Sequence, residues 1–178
     1  MKQVHILAVN WETIAAEAAV LDHGRRLEIS RDAKTHEEVA AEIIAAGRAG
    51  WVQAWRPGWW NWGICVNDQF PVDCEMPQTV ALLREAGGIK AAALSLFEPG
   101  CTLPVHQHFE LEGRYLTYHL GLCCPKDGAG LVIGNALHRE RDGRWFIFDG
   151  SRTHYAFNCS DRERVILYVE FEREVWGW

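Results

Sequence analysis

The feature of this sequence that most limits its fold is a change of hydrophobic period after Gly88. Before this residue apolar side chains recur at helical spacing, whereas after it they alternate with polar ones, as in strands with one buried face. Turns containing glycine, proline or aspartate separate the segments. The predicted strands are Ile89–Phe97, Leu103–Phe109, Arg114–Cys123, Leu131–Asn135, Arg144–Phe148, His154–Asn158 and Arg164–Phe171. Short strands at this spacing predict a β-sandwich or barrel rather than a parallel sheet.

The first half of the chain carries helical patterns. An alanine-rich helix is predicted over Trp11–Leu21, and another over Val80–Glu85 before two glycines. Between them, Thr35 and Glu38 have the spacing of a capping box, which predicts a helix that begins after Thr35. Since no repeat, linker or low-complexity segment interrupts the sequence, we expect one domain over residues 1–178. Residues 1–88 would then form a helical, tryptophan-rich layer on a β core of residues 89–172.

Composition and charge argue against several classes of protein. The chain has 178 residues and a formal net charge of −6 at pH 7, which disfavours nucleic acid or an anionic membrane as its main partner. It contains no run of 18 apolar residues and no pattern of a secretory leader, so we expect a cytoplasmic location and no membrane segment. Its six cysteines include no CxxC pair, which predicts free thiols. The oligomeric state stays open.

Tryptophans are concentrated in one short segment. Within twelve residues the chain carries Trp51, Trp55, Trp59, Trp60 and Trp62. Such a density is typical of core packing, because each indole ring buries a large apolar area. A role in lining a substrate pocket is the alternative.

Three histidines have the pattern of a metal site. His106 and His108 are two residues apart in the predicted strand Leu103–Phe109, so their side chains should share one face. His154 begins a distant strand after a turn. Three imidazoles on one side of a divalent metal leave open positions for substrate or dioxygen, as non-haem iron(II) centres require. The other histidines lack such a pattern and are expected at the surface: His5, His23, His36 and His138.

The spacing around these histidines resembles the two cupin motifs. Gly100 is followed by His106, His108 and Glu112 at the intervals of the first motif. The second motif is matched from Gly143 through His154 to Asn158, although Asp149 stands where a proline is usual. The resemblance implies a cupin-like jelly roll, or double-stranded β-helix, mostly β with flanking helices, which carries the metal in residues 89–172.

A longer stretch, Met76–Phe171, resembles the aspartyl/asparaginyl β-hydroxylase family. The segments that carry the resemblance are PQTVALL from Pro77, PG followed by five residues and a histidine from Pro99, YHLGL from Tyr118, IFDGSRTH from Ile147 and RVIL from Arg164. Members of that family use iron(II), 2-oxoglutarate and dioxygen. The resemblance therefore implies a hydroxylase that acts on an amino acid, an amino-acid derivative or a peptide residue, with an Asp- or Asn-like β-carbon as one such target.

The resemblance also assigns roles to individual residues. It makes His154 the distal metal ligand and Arg164 the residue that binds the far carboxylate of 2-oxoglutarate. A guanidinium suits this role, since it can bind a carboxylate with two hydrogen bonds. His119 would help to hold the cosubstrate near the metal. The family usually has an arginine two residues before this histidine, where this chain has Thr117, and Arg114 has the wrong strand parity to replace it.

The proximal metal ligand has two assignments. Counting from Pro99 selects His106, with His108 then completing a three-histidine site. Counting back from His119 selects His108, and Glu110 would then supply a carboxylate ligand. The sequence leaves both open.

Two other functions are compatible with the motifs. One is a cupin dioxygenase or isomerase that uses three histidines and Glu112 without 2-oxoglutarate, which predicts that Arg164 lies at the surface. The other is a jelly roll that binds a metal or ligand without catalysis, and this predicts no succinate formation.

Overall fold

The computed structural model describes residues 2–27 and 50–178, together with Glu38 and Glu42. Thr35 and most of the helix predicted after it lie outside the described residues. The helices are α1 (Lys2–Val9), α2 (Trp11–Ala19), α3 (Pro77–Ala86), the 3-10 helix Phe109–Leu111 and α4 (Arg173–Trp176). The strands are β1 (Trp51–Gln53), β2 (Trp59–Val66), β3 (Ile89–Phe97), β4 (Thr102–His106), β5 (Tyr115–Cys123), β6 (Ala129–Ile133), β7 (Ala136–Arg139), β8 (Trp145–Phe148), β9 (His154–Asn158) and β10 (Arg164–Glu172).

These strands form two antiparallel sheets. The larger sheet has the order β1-β2-β3-β10-β5-β8, and the smaller has the order β4-β9-β6-β7. Of the eight strands from β3 to β10, four lie in the larger sheet (β3, β5, β8 and β10) and four in the smaller (β4, β6, β7 and β9). The chain therefore crosses repeatedly between the two sheets. This is the double-sheet order of a jelly roll. The predicted fold class, a double-stranded β-helix with flanking helices, is confirmed.

Strand alternation divides the larger sheet into two faces. One face packs against the helices in a core that joins Leu7 and Ile14 to Leu83 and Leu167, each fully buried. The other face meets the smaller sheet in an inner core that includes Phe97, Leu131 and Phe148. Full burial of such a side chain contributes roughly 1.5–3 kcal/mol, so both cores stabilise the barrel.

Specific contacts fix the helices on the larger sheet. The Glu17 carboxylate accepts hydrogen bonds from the backbone N–H groups of Gln78 and Thr79 at 2.8 Å, and so caps the first turn of α3. Trp176 of α4 stacks on Phe171 with ring centroids 3.9 Å apart. None of the described helices is long and apolar enough to cross a membrane.

The structure differs from the predicted elements at several points. The strand predicted over Leu103–Phe109 ends at His106 as β4, because the chain turns into the 3-10 helix. Strand β2 was not expected: it carries indole rings and apolar groups on both faces, so it shows no alternation. Strand β7 is a short edge strand with mostly exposed side chains, which carry no burial pattern. Helix α1 was also missed.

Candidate metal centre

His106 and His154 lie opposite each other where β4 meets β9. Their Cα atoms are register partners at the end of β4 and the start of β9. The two imidazole centroids are 4.2 Å apart. Each side chain leaves a backbone that the sheet hydrogen bonds hold in place, so the pair is defined by the fold rather than by a mobile loop.

His108 completes a group of three imidazoles. It lies beyond β4, so the expectation that it shares a strand face with His106 is wrong. Its backbone N–H donates to the carbonyl oxygen of Gly150 at 3.0 Å, which pulls this turn against the segment before β9. One ring nitrogen from each of the three histidines lies within 4.8 Å of the others. The turn, not strand parity, brings His108 to the site.

Backbone carbonyl groups orient two of the three rings. Nδ1 of His106 lies 2.8 Å from the Pro104 carbonyl oxygen, and Nδ1 of His154 lies 2.7 Å from that of Arg152. An Nδ1–H that donates to a carbonyl leaves Nε2 unprotonated, with its lone pair available to a metal. Both rings therefore have the tautomer that an Nε2 ligand needs.

Burial keeps these two imidazoles neutral. Burial lowers the pKa of His154 to about 4, against the opposing effect of its hydrogen bond to the Arg152 carbonyl. Burial also lowers the pKa of His106. Because a metal binds the neutral imidazole, protons compete little with the metal at pH 7.

Neither of the two candidate carboxylates, Glu110 and Glu112, belongs to the histidine group. Oε1 of Glu110 lies 3.3 Å from Nδ1 of His108, and its side chain is 53% exposed. Glu112 is exposed. Among the described residues, the group that could hold a metal comprises the three histidines and neither carboxylate. In this geometry Glu110 orients His108 from the outer shell of the site.

The tryptophan segment divides between the core and the neighbourhood of the histidines. Trp51 and Trp62 are buried in the core with their rings in edge contact at 5.5 Å. Trp55 is 44% exposed, and its ring centroid lies 6.0 Å from that of His106. Trp55 therefore forms part of the rim beside the histidines.

One carboxylate binds both residues that the resemblance assigns to 2-oxoglutarate. Glu140 follows β7 inside the barrel, and its side chain and that of Arg164 are each 1% exposed. Its Oε2 accepts a hydrogen bond from Nε of Arg164, and its Oε1 accepts one from Nη2 at 2.5 Å. The same Oε1 lies 2.9 Å from Nδ1 of His119. The sequence does not mark Glu140, because it lies in a run of charged residues typical of an exposed turn.

This cluster has a defined charge state. Burial would raise the pKa of the Glu140 carboxyl, but the Arg164 guanidinium and a hydrogen bond from His119 outweigh burial and hold that pKa at about 2. Burial lowers the pKa of His119 more than Glu140 raises it. At pH 7 the cluster is a carboxylate paired with a guanidinium, next to a neutral imidazole whose Nδ1–H donates to Glu140.

Gly121, in the YHLGL segment, allows Glu140 to enter the barrel. A Cβ at this position would lie 2.0 Å from the carbonyl oxygen of Arg141. The backbone of Gly121 also donates to the Arg144 carbonyl and accepts from Gly143, each at 2.9 Å. The turn after Glu140 therefore packs directly on the β5 backbone, which only glycine permits.

The cluster and the histidine group are separated by one aromatic ring. The Phe148 ring centroid lies 5.0 Å from that of His119 and 5.4 Å from that of His154. Nη1 of Arg164 and Nε2 of His119 are buried and, within residues 2–27 and 50–178, have no hydrogen-bond partner. These two atoms of the cluster can still form hydrogen bonds with a polar ligand.

Comparison with known proteins identifies the family. The family model described as aspartyl/asparaginyl beta-hydroxylase matches residues 8–174. The chain belongs to this family. The predicted resemblance is thereby confirmed, and it extends well before Met76.

Two curated relatives illustrate the range of this hydroxylase family. The ornithine lipid ester-linked acyl 2-hydroxylase of Rhizobium tropici is 36% identical over 100 residues, which cover 53% of this chain and 34% of that protein. The human aspartyl/asparaginyl beta-hydroxylase is 28% identical over 174 residues, which cover 94% of this chain and 20% of that protein. The chain therefore matches about a third or less of the length of these relatives.

Solved structures with similar coordinates include two proteins of low sequence identity. AerE from Microcystis aeruginosa is 13% identical with a TM-score of 0.46, over 69% of this chain and 45% of that chain. KdgF from Halomonas sp. is 17% identical with a TM-score of 0.42, over 67% of this chain and 84% of that chain.

The structure also places the residues at which this member of the hydroxylase family departs from the pattern. Thr117 is 1% exposed on β5, and a Cβ on Gly150 would lie 2.9 Å from its Oγ1. Arg114 is exposed and pairs with Glu172 at 2.7 Å, so it does not take the place of the missing arginine. His138 was expected at the surface, but it is half-buried and stacks on Phe146 at 5.0 Å.

Proposed function

We propose that this protein is an iron(II)- and 2-oxoglutarate-dependent hydroxylase. The observation that carries the proposal is the convergence of three imidazoles, within 4.8 Å, in a member of a hydroxylase family. His106, His108 and His154 would hold the iron on one side. A three-ligand set leaves the opposite side of the metal open for cosubstrate, dioxygen and substrate.

The buried cluster could bind 2-oxoglutarate through the Arg164 donor that Glu140 leaves unused. Nη1 of Arg164 and Nε2 of His119 are buried polar atoms that lack a partner among the residues described. Burying the Nη1 donor unpaired costs free energy, which a bound carboxylate would recover by accepting a hydrogen bond from it. Arg164 would bind the far carboxylate, and His119 would lie along the cosubstrate.

The protein would orient the metal ligands and exclude water from the site. When bound, iron(II) and 2-oxoglutarate supply the oxidising chemistry, in which dioxygen converts 2-oxoglutarate to succinate and carbon dioxide while a substrate C–H becomes C–OH. The carbonyl groups of Pro104 and Arg152 orient His106 and His154. Phe148 and the other buried side chains of the inner core would keep solvent from this side of the site.

The substrate would be a small molecule or a peptide residue. The two curated relatives are named as hydroxylases of an ester-linked acyl group and of an aspartyl or asparaginyl group. An Asp- or Asn-like β-carbon remains one candidate. Trp55 at the rim offers an exposed indole face to an apolar part of the substrate.

The alternative, a cupin dioxygenase or isomerase without 2-oxoglutarate, has less support. That function predicts a surface Arg164, yet the residue is 1% exposed. It also uses Glu112, which is exposed and outside the histidine group.

An anaerobic titration tests the proposal. The protein is loaded with iron(II), 2-oxoglutarate is added, and the weak visible charge-transfer band of the chelate is recorded. We expect a saturable band in the wild type and weaker binding in Arg164→Ala, because the buried Glu140 carboxylate is then left unpaired beside the ligand. No band in the wild type, or an unchanged titration in Arg164→Ala, would contradict the proposal. Succinate formation under air then separates an enzyme from a protein that only binds its ligands.

A further inference from the structure

The inference concerns Glu140 and rests on the proposed function. A guanidinium has five N–H groups in a planar fork, and an unpaired fork binds a carboxylate with two parallel hydrogen bonds. Here Glu140 already accepts from Nε and from Nη2, so one edge of the fork is occupied. Nη1 is the nitrogen that, in the described chain, has no partner. A second carboxylate can therefore approach only the Nη1 side, and it shares with Glu140 a guanidinium that is already paired.

Charge leads to the same conclusion. The Glu140 carboxylate and the Arg164 guanidinium are both buried and cancel each other. His119 of β5 adds no charge at pH 7, because burial lowers its pKa. Phe146 of β8 on one side, and Tyr168 of β10 on the other, make ring contacts with His119. His138 stacks on the Phe146 ring. A buried carboxylate gains most from a net positive partner, which this cluster does not provide.

The position of Glu140 is fixed by the backbone. The turn after it is hydrogen-bonded to both the backbone N–H and the carbonyl oxygen of Gly121. Oε1 of Glu140 also lies within hydrogen-bond distance of Nδ1 of His119. Movement of the carboxylate away from Arg164 would break these contacts and leave a charge buried without a partner. Glu140 therefore stays on the guanidinium when a ligand arrives.

We propose that Glu140 determines cosubstrate specificity: by occupying and neutralising Arg164 it weakens selection for a second carboxylate, so that the protein also accepts 2-oxo acids that lack one. The ligand class is a 2-oxo carboxylic acid, with or without a second carboxylate. The far end of the ligand contributes little to selection.

Two matched ligands test this proposal. 2-Oxoglutarate and 2-oxopentanoate have the same carbon chain, and the second has a methyl group in place of the far carboxylate. Their dissociation constants are measured by the anaerobic charge-transfer titration, in the wild type and in Glu140→Gln. We expect the wild type to prefer 2-oxoglutarate by less than about tenfold, or 1.4 kcal/mol. In Glu140→Gln, whose guanidinium is no longer neutralised, the preference should increase at least tenfold.

The ratio of the two constants isolates the effect of the far carboxylate. Changes in metal binding or in folding alter both constants together and cancel in the ratio. A wild-type preference well above tenfold, or an equal preference in the wild type and in Glu140→Gln, would overturn the proposal. No band with either acid in the wild type would instead overturn the proposed function, so the two failures are distinguishable.

Two further variants guard against a structural explanation. Glu17→Gln removes a carboxylate that binds the first turn of α3, at Gln78 and Thr79, and it should leave the preference unchanged. If Glu140→Gln does not fold, Glu140→Leu combined with Arg164→Met removes both charges, a replacement that buried ion pairs often tolerate. Its preference should stay within about threefold of the wild type, because a neutralised arginine selects little. A tenfold fall would show that Arg164 selects strongly despite Glu140, and would overturn the proposal.

Discussion

At the scale of single residues, the hydrogen-bond partner of each histidine determines which ring nitrogen is available to a metal. His106 and His154 are oriented by carbonyl groups of their own strands, whereas Nδ1 of His108 lies 3.3 Å from the Glu110 carboxylate. A carboxylate behind a histidine ligand typically strengthens metal binding by about 10–100-fold. Glu110 should therefore strengthen metal binding through His108 and not as a ligand itself.

Metal affinity should separate these roles. Because each imidazole contributes one ligand atom, we expect His106→Ala, His108→Ala and His154→Ala each to lower iron(II) affinity more than Glu110→Gln, whose loss should be about tenfold. Affinity is measured by anaerobic competition with a chelating dye. Glu112→Gln is the matched control and should bind as the wild type does. Full metal retention in His106→Ala, with strong loss in Glu110→Gln, would establish the alternative set of His108, Glu110 and His154.

Acid stability should reveal the buried Glu140 carboxylate. Its pKa of about 2 in the folded protein lies below its ordinary value of 4.5. The group therefore stabilises the fold fully above pH 4.5, and this contribution is lost as the pH falls towards 2. We expect Glu140→Gln to be less stable at pH 7 by about 3–5 kcal/mol, because a charge is left unpaired. Urea unfolding at pH 7 and pH 3 should give a smaller difference between the two proteins at pH 3, and an equal difference at both values would contradict this assignment.

The sequence predicts some of these residues and not others, for physical reasons. His106 and His154 are detectable because a histidine pair and a turn before a strand are local patterns. Glu140 is not, because its burial depends on a contact between two distant segments, in which the backbone at Arg141 packs on Gly121. His108 was predicted for the wrong reason, since a turn rather than strand parity brings it to the group.

At the scale of elements, the strands that position the site were the most predictable. Strands β3 and β9 match their predicted ranges in full, and β10 differs by one residue at its end. Each has one face on a core and clear turn residues at its ends. Strand β2 was missed because it is apolar on both faces, so its period does not distinguish a strand from a buried loop.

The contact between β5 and the turn after β7 should be sensitive to one methyl group. In Gly121→Ala the new Cβ would lie 2.0 Å from the Arg141 carbonyl oxygen, so the turn that carries Glu140 must move. We expect a loss of about 1–3 kcal/mol, as for other overpacked sites, together with an altered 2-oxo acid preference. Urea unfolding and the ligand titration measure the two effects.

Gly113→Ala is the control for this prediction. Its φ is +75° and an added Cβ meets no described atom within 4 Å, so it should cost about 1 kcal/mol of backbone strain and leave ligand preference unchanged. If Gly121→Ala also kept the wild-type preference and stability, the close packing of the turn on β5 would not be what fixes Glu140.

At the scale of the whole molecule, the three histidines join two neighbouring strands of the smaller sheet that are far apart in the sequence. β4 and β9 are paired, and the turn with His108 bonds to Gly150 just before β9. A metal bound to all three rings would cross-link these segments in the folded state only. Because the unfolded chain has no such preformed site, metal binding free energy should appear as folding stability.

Thermal unfolding measures this coupling. At a free metal concentration of 100 times Kd, binding should add about 2.7 kcal/mol, which for a chain of this size corresponds to a rise in Tm of roughly 5–10 °C. Manganese(II) is the suitable probe, because it prefers nitrogen and oxygen ligands and avoids the six free cysteines. His154→Ala should show no rise. An equal rise in His154→Ala would mean that manganese stabilises the protein elsewhere, and the three-histidine assignment would then fail.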